Sequence, residues 1–178
     1  MRHASILLAV CIAAICATAG PVARAQSNPN VDQIVKSLNP TPSGSGDTRG
    51  IRVGRPTDSA GRPAQISLNV LFATGSAELT PQAIETLNTL GQALTNPSLA
   101  GYRFRVEGHT DTVGSSELNK ALSERRAVSV VAYLTSKFPV ETARLEPVGM
   151  GKEGLLVVTP DQTAEPRNRR VLVVNTGN

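Results

Sequence analysis

The chain is 178 residues long and carries 18 Lys and Arg against 14 Asp and Glu, a formal net charge of +4. An excess this small makes no case for nucleic-acid binding, although arginines cluster over 49–62 and 167–170, where an anionic polymer would be attracted weakly. The length suffices for one single-core domain of about 110 residues preceded by a leader and an arm.

Met1-Arg2-His3 precede an apolar run from Ala4 to Ala19, and Ala23-Arg24-Ala25 supplies the small residues a signal peptidase requires. Residues 1–25 therefore read as a signal peptide cleaved before Gln26. Lipoprotein processing at Cys11 or Cys16 is disfavoured, because Val10 and Ile15 are bulky for the position before a lipidated cysteine. An uncleaved anchor is disfavoured as well, since the run is short for a membrane span. Cleavage removes Arg2 and Arg24, so the basic count falls from 18 to 16 against 14 acids and the net charge from +4 to +2. Both cysteines leave with the leader, so the mature chain has no disulfide and no thiol-ligated metal. Its folding must rest on the core.

Residues 26–65 are rich in Pro, Gly, Ser and Thr and read as a flexible linker. The one periodic patch, Val31, Ile34, Val35 and Leu38, stops at Pro40 and has the spacing of a short amphipathic helix, with packing on the domain or meeting a partner both open to it. No run of alternating strands precedes the domain, so the chain cannot build a transmembrane barrel.

The domain itself is expected over 66–178. Ile66 to Phe72 has strand character. Thr80-Pro81 starts a helix, the hydroxyl capping and the proline in the first turn, whose stripe Ile84, Leu87, Leu90 and Leu94 ends at Asn96-Pro97. Tyr102, Phe104 and Val106 alternate with Arg103, Arg105 and Glu107 as in a half-buried strand, which must end where Gly108 and Gly114 bracket a polar turn. From Ser115 or Ser116 to Lys137 there is no Gly or Pro, which predicts a serine-capped helix with Ala127, Val130, Val131, Leu134 and Phe138 facing the sheet. Arg144 to Val148 and Arg170 to Val174 supply two more strands. The fold class expected is α+β, a two-layer βαβαββ sandwich with a mixed four-stranded sheet and helices on one face. Leu155-Leu156-Val157-Val158, within the otherwise patternless 154–167 stretch, predicts a short extra strand or a packed loop.

Asp111 thus sits in a loop at a strand's end, beside the free N–H groups of a helix N-terminus. Arg126 lies on the flank of the helix stripe with Asn119 two turns earlier, and helical side chains lean toward the N-terminus, so Arg126 is expected to reach back toward Asp111. Arg125 points about 100° away around the helix. The combination offers an acceptor for an ammonium group and a planar donor fork for a carboxylate, which suits a small zwitterion.

The stretch Gly108-His109-Thr110-Asp111-Thr112-Val113-Gly114, continued by Asn119, Leu122-Ser123 and Arg125-Arg126-Ala127, resembles the OmpA-like C-terminal domain found in outer-membrane proteins and peptidoglycan-associated lipoproteins. Leu71 to Leu79 is similar to that family's first strand and turn, Gly149-Met150-Gly151 to its third strand's exit, and Asn168-Arg169-Arg170-Val171 to its closing strand. The resemblance covers roughly the last two thirds of the chain and implies noncovalent binding of peptidoglycan. It implies that the ligand is the diaminopimelate residue of the stem peptide, with Asp111 holding its ammonium and Arg126 its carboxylate.

Around that pair, Thr110, Thr112 and Val113 are candidates to offer backbone N–H groups, and Phe72, Leu122, Asn119 and Arg169 to line or support the site. His109, Asp111 and Ser115 are the residue types of a hydrolytic triad, but neighbours in one loop seldom adopt that geometry. His-x-Asp also falls short of the three protein ligands a zinc site needs. No cofactor signature is present. The reading is therefore a non-enzymatic periplasmic wall-binding protein, associated with the outer membrane or an envelope protein through its N-terminal arm. The rivals are a fold-retaining scaffold for an envelope partner and a wall-remodelling hydrolase.

Overall fold

Four short segments of alternating polarity form one sheet: β1 (Gln65–Leu68), β2 (Arg103–His109), β3 (Leu145–Gly151) and β4 (Val171–Gly177), in the order β1-β4-β2-β3. The computed structural model describes residues 29–40, 63–73 and 75–178. The leader with Cys11 and Cys16, and the arginine cluster over 49–62, lie outside the described residues. β4 runs antiparallel to both β1 and β2, whereas β2 and β3 are parallel, so the sheet is mixed and the β2–β3 link must cross over. The crossover is α3 (Ser116–Lys137), and α2 (Pro81–Leu94) joins β1 to β2. The α+β, βαβαββ two-layer fold follows.

Local chemistry sets the helix starts. The Thr80 hydroxyl accepts the Ala83 N–H at 3.2 Å and Pro81 occupies the first turn of α2. Ser115 accepts the Leu118 N–H at 3.2 Å at the start of α3. Ala83, Leu87, Leu90 and Leu94 of α2 and Val130, Val131 and Leu134 of α3 close over Phe104, Val106, Val171 and Val173 of the sheet to form the core.

α3 lies directly on the parallel pair. A Cβ on Gly108 of β2 would run into the Ser123 carbonyl oxygen, and one on Gly149 of β3 would come within 2.5 Å of the Glu124 backbone nitrogen. The Ser123 hydroxyl accepts the Gly151 N–H at 2.8 Å, pinning the end of β3 to the helix.

Three regions differ from the sequence reading or extend it. β1 stops at Leu68, opposite Val171 where β4 begins, because beyond that point no ladder remains to join. Phe72 pairs instead with Leu79 in an isolated bridge that closes the turn between them. Residues 154–167 form no strand. They pack as a loop whose Val157 N–H and carbonyl are both held by buried Asn168, at 2.8 and 2.9 Å, leaving Leu156 and Val158 exposed.

The third region is the arm. α1 (Val31–Leu38) is capped by a reciprocal Asn30–Gln33 box and packs on the domain: Ile34 and Leu38 are fully buried in the common core, against α2 and β1. Asn175 of β4, itself buried, donates to the Leu38 carbonyl at 2.9 Å while its own N–H donates to Ala64 at 2.8 Å. A domain boundary at residue 66 therefore leaves out a helix that completes the core. Among the described residues no helix is long and apolar enough to cross a membrane.

Leu38→Ala removes a fully buried side chain and should lower the unfolding free energy by about 2–4 kcal/mol in urea titration. A change below about 0.5 kcal/mol would make α1 an appendage rather than part of the core.

Candidate ligand-binding cleft

β2 ends in the polar turn that the bracketing glycines require. The His109 N–H still donates to Arg170 at 3.0 Å and the Thr110 N–H to Gly151 at 2.8 Å, after which the chain leaves the sheet. Gly114, at φ +91°, turns it into α3. Asn119, one turn into the helix, donates its amide to the Val113 carbonyl at 2.8 Å and fixes the turn to the helix. Asp111 is left nearly buried, 8% exposed, with one carboxylate oxygen 3.3 Å from the Val113 N–H.

The other carboxylate oxygen takes Arg169, at 2.8 Å. Arg126 lines the same cleft as Asp111 but is anchored elsewhere. It does not pair with Asp111; its Nε donates to the Ser76 carbonyl at 3.0 Å, its Nη2 lies 3.5 Å from the Ala73 carbonyl, and its guanidinium stacks 4.9 Å from the Phe72 ring centroid. The turn closed by the Phe72–Leu79 bridge presents these carbonyls, so Arg126 is drawn sideways onto it. Burial lowers the guanidinium's pKa, with the Arg169 charge acting in the same direction and Asp111 against both. An arginine stays charged regardless.

Asp111, Arg126 and Arg169 share a cleft of about 490 Å³, which Phe72, Thr110, Val113, Asn119 and Leu122 also line. Thr112 does not line it. Its hydroxyl lies 2.6 Å from the Pro160 carbonyl and accepts the Thr163 N–H at 3.0 Å, and its carbonyl accepts the Gln162 N–H at 3.0 Å. The amides proposed from sequence are largely engaged as well, Thr110 by Gly151 and Val113 by Asp111.

Sequence reasoning missed Gln162, a non-glycine residue at φ +57° whose side chain accepts the Gly114 N–H at 2.9 Å and so braces the turn. It also missed Gly75, Leu118 and Ala164 at the rim. Gly75 and Leu118 fall beside residues already singled out; Gln162 carries no local signal. A more open groove of about 480 Å³ on the outer side of α3, lined by Ala77, Glu124, Arg125 and Val128, has no comparable convergence of buried charge.

His109, Asp111 and Ser115 do not form a chain. The His109 Nδ1 faces the Glu153 carbonyl at 3.1 Å and its Nε2 lies 3.6 Å from Glu107, while Ser115 caps α3. Among the described residues no group of three or more His, Cys, Asp or Glu is placed to hold a metal ion.

The model of the OmpA family matches residues 71–169, which include every residue of this cleft. The chain belongs to the OmpA family. It is similar to a relative named peptidoglycan-associated lipoprotein from Pseudomonas aeruginosa, 33% identical over 171 residues that cover 96% of this chain and 94% of that protein. The crystal structure of the peptidoglycan-associated lipoprotein from Burkholderia pseudomallei matches with a TM-score of 0.53 at 31% identity, over 62% of this chain and 89% of that one. The cell wall anchor of the T6SS from Pseudomonas aeruginosa shares the fold, with a TM-score of 0.53 at 22% identity over 64% of this chain and 81% of that one.

On β2, the strand that leads into this OmpA-family cleft, Glu107 is buried beside His109 and the Arg105 guanidinium, which lies 2.6 Å away. Burial pushes its carboxyl up, but the His109 and Arg105 contacts outweigh burial and hold it below its ordinary value of 4.5. A carboxyl depressed in the fold contributes stability above its unfolded pKa and loses it as pH falls through the folded one. The stability gap between the wild type and Glu107→Gln should therefore be largest near neutral pH and shrink below pH 4.5, measured by urea unfolding at successive pH values.

Proposed function

We propose that this protein is exported to the periplasm and binds peptidoglycan noncovalently, taking the zwitterionic end of a diaminopimelate residue into the cleft. The observation that carries this reading is one nearly buried carboxylate sharing a cleft with two guanidinium groups, all within the stretch matched by the OmpA family. The peptidoglycan-associated lipoprotein relatives support the polymer as target. Asp111 accepts the ligand's ammonium and Arg126, already fixed against Phe72, meets its carboxylate with the fork geometry such groups favour.

A contact of this size must desolvate charges on both sides, so each single engagement is weak, and the repeated stem peptides of the wall supply retention through rebinding. The N-terminal arm would tether the wall-bound domain to the outer membrane or to an envelope protein.

In cosedimentation with purified diaminopimelate-type wall, the mature protein should pellet. Asp111→Ala and Arg126→Ala, each checked for folding, should each lose about tenfold or more in affinity, the scale of a charged hydrogen bond. Equal pelleting of all three proteins would favour the scaffold reading, and soluble wall fragments in the supernatant would point to a hydrolase.

Processing is tested separately. The intact mass of protein recovered from the periplasm should correspond to a chain beginning at Gln26, and a lipid-modified mass beginning at Cys11 or Cys16 would overturn the cleaved leader.

A further inference from the structure

The chain satisfies Asp111 internally, through one oxygen on the Val113 N–H and the other on Arg169. The two guanidinium groups of the cleft are held in opposite ways. Arg126 is 5% exposed and fixed by carbonyls and an aromatic face. The Arg169 side chain is 44% exposed, and among the described residues its guanidinium has Asp111 as its one hydrogen-bond partner. The Arg169 end of the pair lies in water and has no second anchor, whereas the Asp111 end is nearly buried, so Arg169 is the cation free to move and Arg126 the one that stays.

An ammonium group that takes the Asp111 oxygen now held by Arg169 displaces it, and the released guanidinium then shares the cleft with a second cation, Arg126. Only a ligand that also brings a carboxylate offsets the like charges left there. Resting on the zwitterion reading above, we propose that Arg169 is a partner-exchanging gate, which leaves Asp111 for the ligand's carboxylate as the ligand's ammonium takes its place. A ligand with both groups forms two new pairs for the one it breaks. An amine alone exchanges one pair for another and strands a cation beside Arg126, while a carboxylate alone binds without opening the gate. Selectivity for the joined pair of charges thus comes from an internal competitor, not from the shape of the cleft alone.

Three molecules on related carbon chains test this. Diaminopimelate carries both groups, pimelate lacks the amines, and cadaverine lacks the carboxylates. In NMR titrations of the full mature chain, the wild type should bind diaminopimelate best and cadaverine worst. Arg169→Gln, an exposed change compatible with folding, should weaken diaminopimelate about tenfold and strengthen cadaverine about tenfold, shifting their ratio about 100-fold. Arg167→Gln removes a neighbouring charge paired with Glu165 and should leave the ratio unchanged.

An unaltered ratio in Arg169→Gln, or weakened diaminopimelate with no gain for cadaverine, overturns the gate while the zwitterion reading stands. An equal shift in Arg167→Gln also overturns it, as an effect of net charge. Failure of the wild type to bind diaminopimelate removes the zwitterion reading and the gate together.

Discussion

The cleft depends on how closely α3 is seated on the parallel strands. Where most helices rest on a sheet through side chains, here the backbone of α3 at Ser123 and Glu124 meets the backbone of β2 and β3 at Gly108 and Gly149, because neither strand residue has a Cβ to hold it off. That seating sets the height of everything that follows along the helix. Asn119 reaches the Val113 carbonyl at 2.8 Å, and Arg126 comes level with the turn after Phe72. A methyl group at either glycine would lift the helix and lengthen both contacts at once.

The loop carrying Asp111 is secured from two sides. Asn119 holds it from the helix, and Pro160, Gln162 and Thr163 of the 154–167 loop hold it through Thr112 and Gly114. That outer loop is anchored in turn by Asn168, the neighbour of Arg169, so the element that braces the carboxylate's turn also delivers its ion-pair partner. Rigidity is concentrated in the backbone here, and the freedom lies in one exposed arginine head.

Much of this was legible in the residues. Thr80-Pro81 and Ser115 announce their helices through capping chemistry, and the alternation from Tyr102 to Glu107 gives β2 its register. What escaped is what depends on distant partners. Spacing placed Arg126 on the correct flank of α3, yet its rotamer is decided by carbonyls about 50 residues earlier. The partner of Asp111 is 58 residues away, on a strand entrance that no local pattern connects to it. Thr112 looked equivalent to its neighbours because nothing in the turn shows that the later loop lies against it. Likewise, the apolar stripe of α1 announced a helix but could not name the face it would cover.

The place where α1 docks has a mechanical meaning. Asn175, which holds the end of α1, pairs with Phe104 at the start of β2, whereas Asp111 lies just past the end of that strand, about 20 Å away along its axis. Force entering through residue 30 and leaving through a ligand in the cleft would run nearly along β2 and β4, loading their hydrogen bonds together in shear. α1, gripped by the buried Ile34 and Leu38, the partly buried Val31 and Val35, and one amide, stands first in the path of such a force. Its release would let the grip yield before the sheet itself is stressed, as a shock absorber placed in series with it.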